Sequence, residues 1–208
     1  KEGIRVTDEL TLAAASDVAA RQRVQLERLL SMGLPNTPLK DAHIRVMAGN
    51  VLTAKPIGIR EGVDHLHSGT VRKIDKEGVQ AILNNDAIAL ISPLGYSPAG
   101  ELFSISASDA AEAVAVAIGA DKLIFLDRHV GLEDEDGNLI RQCTSASAQN
   151  LSVLDEEQQR LLDAACRACS RGVTRSHLLT FHREGALLEE LFTHCLLYTS
   201  DAADEWLR

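Results

Sequence analysis

The chain has 208 residues, of which 45% are hydrophobic and only 3% aromatic, so it can bury a single-domain core made mainly of aliphatic side chains. Its formal net charge of −9 comes without a basic cluster, which argues against nucleic acid and against an anionic membrane as partners. No apolar run approaches the roughly 20 residues that a membrane-spanning helix needs.

The chain begins at Lys1 with neither an initiator methionine nor a secretory signal, so we expect it to lie inside a longer protein. Its cysteines, Cys143, Cys166, Cys169 and Cys195, are typical of reduced thiols and predict a cytoplasmic location. Cys166 and Cys169 lie inside a helical pattern without a second cysteine pair or a nearby histidine, so we predict neither a metal nor a redox role for them.

The amino-terminal part is predicted to hold a long helix followed by a hairpin. Thr7-Asp8 is a capping pair for a helix that runs to Met32, although a break near residues 16–17 is an alternative for so long a run. Residues 44–54 alternate, turn at Ala48-Gly49-Asn50 and then resume, which predicts a β-hairpin. A strand then precedes Asp75, which is placed to cap a helix ending near Leu83.

The centre of the chain predicts a strand, a helix and a second strand. Residues 87–91 and 123–126 are short apolar runs, and residues 106–119 have apolar side chains at helical spacing. We therefore predict a βαβ unit whose two strands are parallel in one sheet. In such sheets ligands bind beyond the carboxyl ends of the strands, which are followed here by residues 93–100 and 127–131.

The remaining elements are predicted to alternate between strand and helix, at residues 139–140, 151–170, 176–181 and 185–192. In the last of these helices, Leu187, Leu188 and Leu191 are predicted to face inward. No internal repeat and no domain boundary are predicted before Thr193.

Four patterns evoke chemistry, but each has a structural explanation that we prefer. Gly95-x4-Gly100 lacks the Lys and Ser/Thr of a phosphate loop and predicts a hairpin or loop. His65 and His67 lack a third ligand, and residues 133–138 lack the spacing of a calcium loop. Asp127-Arg128-His129 has no nucleophile beside it, which favours a loop ion pair. We therefore predict no metal site.

Three segments match family motifs. Residues 4–8 match Arg-Val-Thr-Asp, residues 48–58 match Gly-Asn-x-x-x-Ala-x-Pro-x-Gly, and residues 61–75 continue the match. On these segments the chain resembles the regulatory domain of the N-acetylglutamate synthase family, within the amino-acid kinase fold. The motif residues that carry the resemblance are Arg5, Thr7, Asp8, Gly49, Asn50, Gly62, Asp64, His67, Gly69, Arg72 and Asp75.

The resemblance implies an α/β, amino-acid kinase-like fold with a mainly parallel central sheet and helices on both faces. It covers residues 1–195, and the family's first strand and glycine-rich turn would lie before Lys1. Residues 196–208 instead resemble translated sequencing-adapter DNA. We expect that tail to be non-native, and disordered or loosely helical.

The resemblance also implies a function. The parent protein would transfer an acetyl group from acetyl-CoA to L-glutamate in the first step of arginine biosynthesis, with its catalytic residues outside this chain and no cofactor in it. This chain would bind L-arginine as an effector and form a homo-oligomer. The residues that the resemblance places near arginine are Glu184, Gly185, Ala186, Glu189 and Glu190.

Two alternative functions remain at this point. The first is acetylglutamate kinase, an ATP-dependent enzyme of the same fold. The kinase has the motif Asn-x-Asn-Ala-Asp, whose aspartate is catalytic, and the three named positions are Ser104, Ser106 and Ser108 in this chain. The kinase also has an acid at the position of Arg128. Phosphoryl transfer depends on placed charges of this kind, so these differences disfavour it. The second alternative is a stand-alone amino-acid-binding sensor.

Overall fold

The computed structural model of the chain describes residues 5–32, 44–133, 139–140, 142–144, 148, 155–192 and 198–200. It divides into two units, Lys1–Ala110 and Ala111–Arg208. Within the described residues, no helix has both the length and the apolar character needed to cross a lipid bilayer.

The elements of the first unit alternate between helices and short strands. They are α1 (Glu9–Leu30), β1 (Arg45–Ala48), β2 (Leu52–Pro56), β3 (Ile59–Arg60), β4 (Val63–Asp64), β5 (Gly69–Ile74), α2 (Lys76–Leu83), β6 (Ala87–Leu90), β7 (Leu94–Tyr96), β8 (Leu102–Ser104) and the start of α3 (Ala107–Ile118).

α1 begins where its predicted cap lies. The Asp8 carboxylate accepts a hydrogen bond from the Thr11 N–H at 2.7 Å, which satisfies one of the unpaired donors of the first turn. The helix then continues for 22 residues without the alternative break near residues 16–17. None of its residues is buried.

The predicted hairpin over residues 44–54 is wrong. β1 pairs with β6 in parallel, whereas β2 pairs with β5 in the antiparallel sense. A two-residue hairpin turn of the common type needs positive φ angles, and neither Gly49 nor Asn50 has one. The turn between β3 and β4 does meet this requirement, with φ +48 at Glu61 and +80 at Gly62.

The main sheet of the first unit has the strand order β5-β2-β7-β8. β7 and β8 form the hairpin predicted for the Gly95-x4-Gly100 pattern. A Cβ at Gly95 would lie 2.6–2.7 Å from side-chain atoms of Leu52, Ala54 and Ile105, so glycine is needed there for packing. The pattern therefore has a structural role in the core.

The predicted parallel pairing within one βαβ unit is also wrong. β6 pairs with β1, whereas the strand that follows α3 belongs to a different sheet. The connection after β6 does not run directly into the helix, because the β7–β8 hairpin comes first and joins the sheet of β2 and β5. The Gly119 end of α3 is confirmed, with φ +68 at that residue.

The second unit contains the rest of α3 and a second set of strands and helices. They are β9 (Lys122–Asp127), β10 (Leu132–Glu133), β11 (Leu139–Ile140), β12 (Gln142–Thr144), α4 (Glu156–Ser170), β13 (Arg175–Thr180), α5 (Ala186–Phe192) and β14 (Tyr198–Ser200). β9 and β13 pair in parallel over six residues. The predicted first turn of α4, residues 151–154, lies outside the described residues.

The core of the second unit lies between α4 and the parallel strands. Leu162, Ala164, Ala165 and Ala168 of α4 are buried together with apolar residues of β9 and β13. Cys169 belongs to the same buried face, and its thiol donates to the Ser176 hydroxyl at 3.3 Å.

The carboxyl-terminal tail contributes a strand, which the adapter-like interpretation did not predict. Tyr198 pairs with His177 and Thr199 with Ser176, so β14 lies between β12 and β13. The expectation of disorder or loose helix is wrong for these three residues. Strand pairing uses main-chain groups, and a short extended segment containing Tyr and Thr suits an open strand edge whatever its origin. The non-native origin of residues 196–208 stays a prediction.

Candidate functional site

The candidate site surrounds α5, whose first residues the resemblance assigns to arginine. Gly185 precedes the helix with φ +78, a conformation that favours glycine. Open space surrounds the position that a Cβ would take there, so a ligand atom could approach the backbone. Ala186 is buried, and its N–H donates to the Arg183 main-chain oxygen at 3.3 Å. Glu184 is exposed.

Glu190 is fully buried and lies among protonatable side chains. Its Oε1 is 3.0 Å from Nδ1 of His177 on β13 and 3.5 Å from Nζ of Lys122 at the start of β9. Lys122 Nζ also donates to the Glu190 main-chain oxygen at 3.1 Å. In the parallel register Lys122 is opposite Arg175 and His177 is opposite Ile124, so Lys122 and His177 lie on one face of the sheet. That face supplies the partners that a buried carboxylate needs.

Glu189 has a different environment from its neighbour. Its side chain is half exposed and forms an ion pair with the Arg183 guanidinium. Exposed pairs of this kind contribute about 0–1 kcal/mol, because water screens both charges. The two adjacent glutamates of α5 therefore differ in burial: Glu190 lies in the fold and Glu189 on its surface.

The predicted orientation of the leucines in α5 is wrong. Leu187, Leu188 and Leu191 are between 42% and 61% exposed, whereas Ala186 and Glu190 are buried. Positions 186 and 190 are four residues apart and share one face of the helix. The ion pairs of Glu190 turn that face toward β9 and β13, and the leucines consequently face outward.

The carboxyl end of β9 carries the predicted loop ion pairs. The Arg128 guanidinium pairs with Asp155, the N-cap of α4, and lies 3.4 Å from Glu157. His129 lies between two carboxylates, 3.1 Å from Asp127 and 3.7 Å from Asp155. Arg128 has two carboxylates beside it and His129 contacts two carboxyl oxygens, which supports the structural explanation.

Hydrogen bonding lowers the pKa of Asp155. Its carboxylate accepts a hydrogen bond from the Gln158 N–H at 2.8 Å and pairs with Arg128, and both contacts favour the charged form. The same pairing raises the pKa of Arg128. A carboxyl group with a lowered pKa in the folded state stabilises the fold above its unfolded-state pKa, and this contribution disappears as the pH falls through the folded-state pKa.

We therefore expect Asp155→Asn to be less stable than the parent chain at pH 7, with a smaller difference at pH 3. Asparagine is also a good N-cap, so the substitution removes the charge and keeps the helix start. Urea unfolding midpoints of both proteins at pH 7, 5, 4 and 3 measure the effect. A difference that stays constant over this range would contradict the assignment.

Several motif residues of the first unit lie together although they are distant in the sequence. The Ser68 hydroxyl donates to the Arg5 main-chain oxygen at 2.6 Å, and the Thr7 hydroxyl lies 2.9 Å from it, within hydrogen-bond distance. The His67 N–H donates to the Thr7 main-chain oxygen. The structure therefore brings the first motif and the residues around His67 together, with His65 buried beside them.

The other motif residues have separate positions. Asp75 caps α2 by accepting from the Gly78 N–H at 3.0 Å, as predicted. Asp64 accepts from the Leu66 N–H, also at 3.0 Å. A Cβ at Gly69 would lie 2.7 Å from Cβ of Phe103. Arg72 lies on β5, and Asn50 lies in the link between β1 and β2.

A cavity of about 630 Å³ lies at the amino ends of β1 and β6, with Arg45, Asn85 and Asp86 in its lining. The sequence predicts a pocket beyond the carboxyl ends of the central strands, whereas this cavity lies at the amino ends of β1 and β6. Within the described residues, no group of three or more His, Cys, Asp and Glu side chains is arranged to hold a metal ion.

Sequence reasoning missed Lys122 and His177, the two side chains that face Glu190. His177 interrupts the apolar pattern of β13, which was the available signal for a buried polar contact. Lys122 gave no signal, because a lysine before an apolar strand is normally exposed.

The chain matches the amino acid kinase family over residues 2–180. An amino-acid acetyltransferase of Pseudomonas fluorescens (strain Pf0-1) is 44% identical over 195 residues, which cover 92% of this chain and 45% of the relative. An amino-acid acetyltransferase of Pseudomonas putida (strain GB-1) gives the same identity and coverage over 193 residues. The chain thus spans about half the length of the curated relatives it matches.

Two solved structures of N-acetylglutamate synthase from Neisseria gonorrhoeae are similar to this chain. The complex with coenzyme A and L-arginine is 33% identical, with a TM-score of 0.89 over 97% of this chain and 48% of that chain. The complex with coenzyme A and N-acetyl-glutamate is 32% identical, with a TM-score of 0.87 over 98% and 47%. Carbamate kinase from Giardia lamblia, bound to AMP-PNP, shares the fold at 9% identity, over 91% of this chain and 71% of that chain, with a TM-score of 0.64. These similarities confirm the resemblance and the amino-acid kinase fold predicted from the sequence.

Proposed function

Because the chain belongs to the amino acid kinase family and is similar to amino-acid acetyltransferases, we propose that it is the arginine-sensing regulatory domain of an N-acetylglutamate synthase. The whole protein would transfer acetyl from acetyl-CoA to the amino group of L-glutamate, at the start of arginine biosynthesis in the cytoplasm. Acetyl-CoA is a substrate in this proposal, and it would bind outside the present chain. The similar structure in complex with L-arginine supports arginine as the effector.

The observation that carries the proposal is the buried carboxylate of Glu190. Its Oε2 has no hydrogen-bond partner within the described part of the chain, so it can accept a hydrogen bond from a ligand. A guanidinium offers parallel N–H donors that match a carboxylate. Lys122 is 3.5 Å from the Glu190 carboxylate and its side chain is 27% exposed, so we propose that arginine reaches the carboxylate by displacing the Lys122 ammonium.

The other residues that the resemblance assigns would hold the amino-acid end of the effector. Gly185 provides a backbone that a ligand can approach closely, and Glu184 and Ala186 flank it. Glu189 is the weaker candidate for the guanidinium, because it is exposed and already paired with Arg183. Arginine bound at Glu190 would stabilise one arrangement of α5 and thereby shift the protein between active and inhibited populations.

Calorimetric titration of L-arginine into the parent chain, Glu190→Gln and Glu189→Gln tests this assignment. Loss of the charge-assisted pair should weaken binding to Glu190→Gln by roughly 1.5–3 kcal/mol. Glu189→Gln is the matched control and should bind as the parent does. L-citrulline, which has a neutral urea in place of the guanidinium, should bind the parent weakly.

Two results would contradict the proposal. If the folded parent chain did not bind arginine, the proposal that it senses arginine would be wrong. Equal arginine affinity of the parent and Glu190→Gln would show that this carboxylate does not hold the guanidinium. Circular dichroism of each variant confirms that a loss of binding is not a loss of folding.

We further propose that the domain is a non-catalytic relative of the kinases. The hydroxyls of Ser106 and Ser108 are 2.8 Å apart at the start of α3, where the kinase resemblance requires a carboxylate. Arg128, the second substitution, is held by Asp155 and Glu157. Neither position supplies the acid that would organise metal ions and phosphate.

Incubation of the chain with ATP, magnesium and N-acetyl-L-glutamate should therefore release no ADP above a blank without protein. An acetylglutamate kinase assayed in parallel is the positive control. Turnover clearly above the blank would contradict the non-catalytic assignment and favour the kinase alternative.

We also propose that the protein is a homo-oligomer that associates through α1. This helix has 22 residues and no buried one, and its exposed apolar side chains include Leu10, Val18 and Leu29. Several exposed apolar side chains on one helix commonly mark a contact surface. Light scattering should give a mass above that of one chain, and Leu10→Lys/Val18→Lys should reduce it. A monomer at all concentrations would contradict this proposal.

A further inference from the structure

The first unit contains a cavity that takes no part in the function proposed above. Its volume of about 630 Å³ is in the range of sites that hold small molecules. Residues from the last turn of α1, the start of β1 and the link between α2 and β6 line it. All three elements belong to the first unit, so the cavity is a property of that unit's own fold.

Three charged side chains line the cavity: the guanidinium of Arg45 and the carboxylates of Asp86 and Glu27. Strand pairing brings Arg45 and Asp86 close, because Arg45 is opposite Ala87 in the register of β1 and β6 and Asp86 directly precedes Ala87. Glu27 comes from another element, the last turn of α1. The lining therefore offers one cation and two anions.

These charges do not neutralise one another. Within the described part of the chain, no carboxylate oxygen lies within 4.0 Å of the Arg45 guanidinium, which donates a long hydrogen bond of 3.4 Å to the Asn85 main-chain oxygen. The Asp86 carboxylate has neither a hydrogen bond nor an ion pair with any described residue. The Glu27 carboxylate is 3.5 Å from Nε of Arg23, in an exposed pair of the kind that contributes little. All three groups can therefore bind a ligand without first breaking a strong contact.

The backbone at Asp86 is consistent with a functional role for its carboxylate. Its φ angle of +52 lies in the left-handed region, where glycine is the residue that fits without strain. Aspartate tolerates this conformation better than most residues do, and residues held in it occur often at ligand sites. A glycine would relax this turn but would remove the carboxylate from the cavity.

The rest of the lining suits an aliphatic chain that ends in a cation. Ile44 and Val46, on either side of Arg45, contribute apolar surface. The main-chain carbonyls at the carboxyl end of α1 carry partial negative charge, which adds to that of Glu27 in the last turn. A positively charged group is therefore favoured at the α1 side of the cavity.

We propose that this cavity binds a basic α-amino acid. Such a ligand carries one carboxylate and two cationic groups, which complement one guanidinium and two carboxylates. Arg45 binds the α-carboxylate in the parallel geometry that guanidinium and carboxylate share, and the neighbouring Asp86 accepts hydrogen bonds from the α-ammonium. Glu27 pairs with the side-chain cation, and the apolar lining covers the methylene groups. The site uses none of the residues around Glu190, so it goes beyond the effector site proposed above.

Titration with L-lysine, followed by the amide chemical shifts of the nitrogen-15-labelled chain, tests the site. Shifts at Val46 and Ala87 report binding in this cavity, whereas shifts at Ala186 report binding at α5. We expect saturable shifts at Val46 and Ala87. L-norleucine, which has a hydrogen in place of the side-chain ammonium, should bind more weakly by about tenfold or more, because it leaves Glu27 without a partner.

Variants that remove one charge each assign the contacts. Arg45→Gln and Asp86→Asn should weaken lysine and norleucine alike, by about tenfold or more, since both ligands have the α-amino acid group. Glu27→Gln should weaken lysine to the same degree and leave norleucine unchanged. Glu77→Gln removes an exposed carboxylate of α2 that does not line the cavity, and this matched control should change neither affinity.

Three results would each overturn the proposal: no saturable shift at Val46 and Ala87, equal affinity for lysine and norleucine, or full lysine affinity in Asp86→Asn. Equal weakening by Glu77→Gln would overturn it as well, since the net charge of the chain would then explain the effect. Lysine-induced shifts at Ala186 alone would mean that the ligand occupies the α5 site instead. The norleucine comparison uses the parent chain, so it decides the matter even if a variant does not fold.

Discussion

Replacement of His177 by alanine is expected to lower the free energy of unfolding by about 3 kcal/mol, the lower end of the range for breaking a buried ion pair. The substitution leaves the Glu190 carboxylate without the ring nitrogen that lies 3.0 Å from it. Lys122 remains 3.5 Å away and partly compensates, which places the effect at the lower end. A smaller side chain also leaves a cavity among buried residues of β13.

The double substitution His177→Leu/Glu190→Leu is the matched control. It removes the imidazole and the carboxyl group together and fills the space with apolar atoms, and such replacements of buried polar pairs are often neutral or stabilising. We therefore expect the double variant to be more stable than His177→Ala. Urea unfolding at pH 7 measures all the proteins. A loss below about 0.5 kcal/mol for His177→Ala, the size of an ordinary surface substitution, would show that the pair has no structural role.

The helix starts of the first unit could be predicted because their causes are local. Asp8 and Asp75 each precede a helix and accept a hydrogen bond from an N–H three residues later. That contact depends on residues within one turn, which a sequence displays directly. Gly119 follows α3 and Gly185 precedes α5, and both glycines have positive φ angles.

Strand pairing could not be predicted in the same way. β1 and β2 are separated by three residues, and their apolar alternation fits a hairpin as well as it fits two separate pairings. The choice depends on the φ angles at Gly49 and Asn50 and on distant partners, β6 and β5. The parallel pairing of β9 with β13 likewise joins residues more than 50 positions apart. Tertiary context decides such pairings.

The candidate site shows the limit of hydrophobic periodicity. The pattern of α5 places three leucines on one side, and inward burial is the ordinary consequence of that pattern. The structure instead buries Glu190, because Lys122 and His177 converge on it from β9 and β13. Those partners are not neighbours of Glu190 in the sequence. The family resemblance therefore indicated α5, but which of its side chains are buried could not be predicted.

The last prediction compares a buried leucine with an exposed one. Leu162 of α4 is 1% exposed and lies in the core of the second unit, packed among Ala165, Phe125 and Leu178. Leu162→Ala should lower the free energy of unfolding by roughly 2–5 kcal/mol, because apolar surface is lost and the rigid surroundings leave a cavity. Leu188→Ala removes the same atoms from an exposed position of α5, where little packing is lost, and should change the stability by less than about 0.5 kcal/mol.

Urea unfolding of the parent chain, Leu162→Ala and Leu188→Ala under one set of conditions gives both values. Because the chemical change is identical, the difference between the two variants reports burial alone. A large loss for Leu188→Ala in the 208-residue chain would mean that α5 packs its leucines inward, as the sequence pattern predicts. A large loss for Leu162→Ala alone would confirm that Leu162 packs in the core and that Leu188 faces outward.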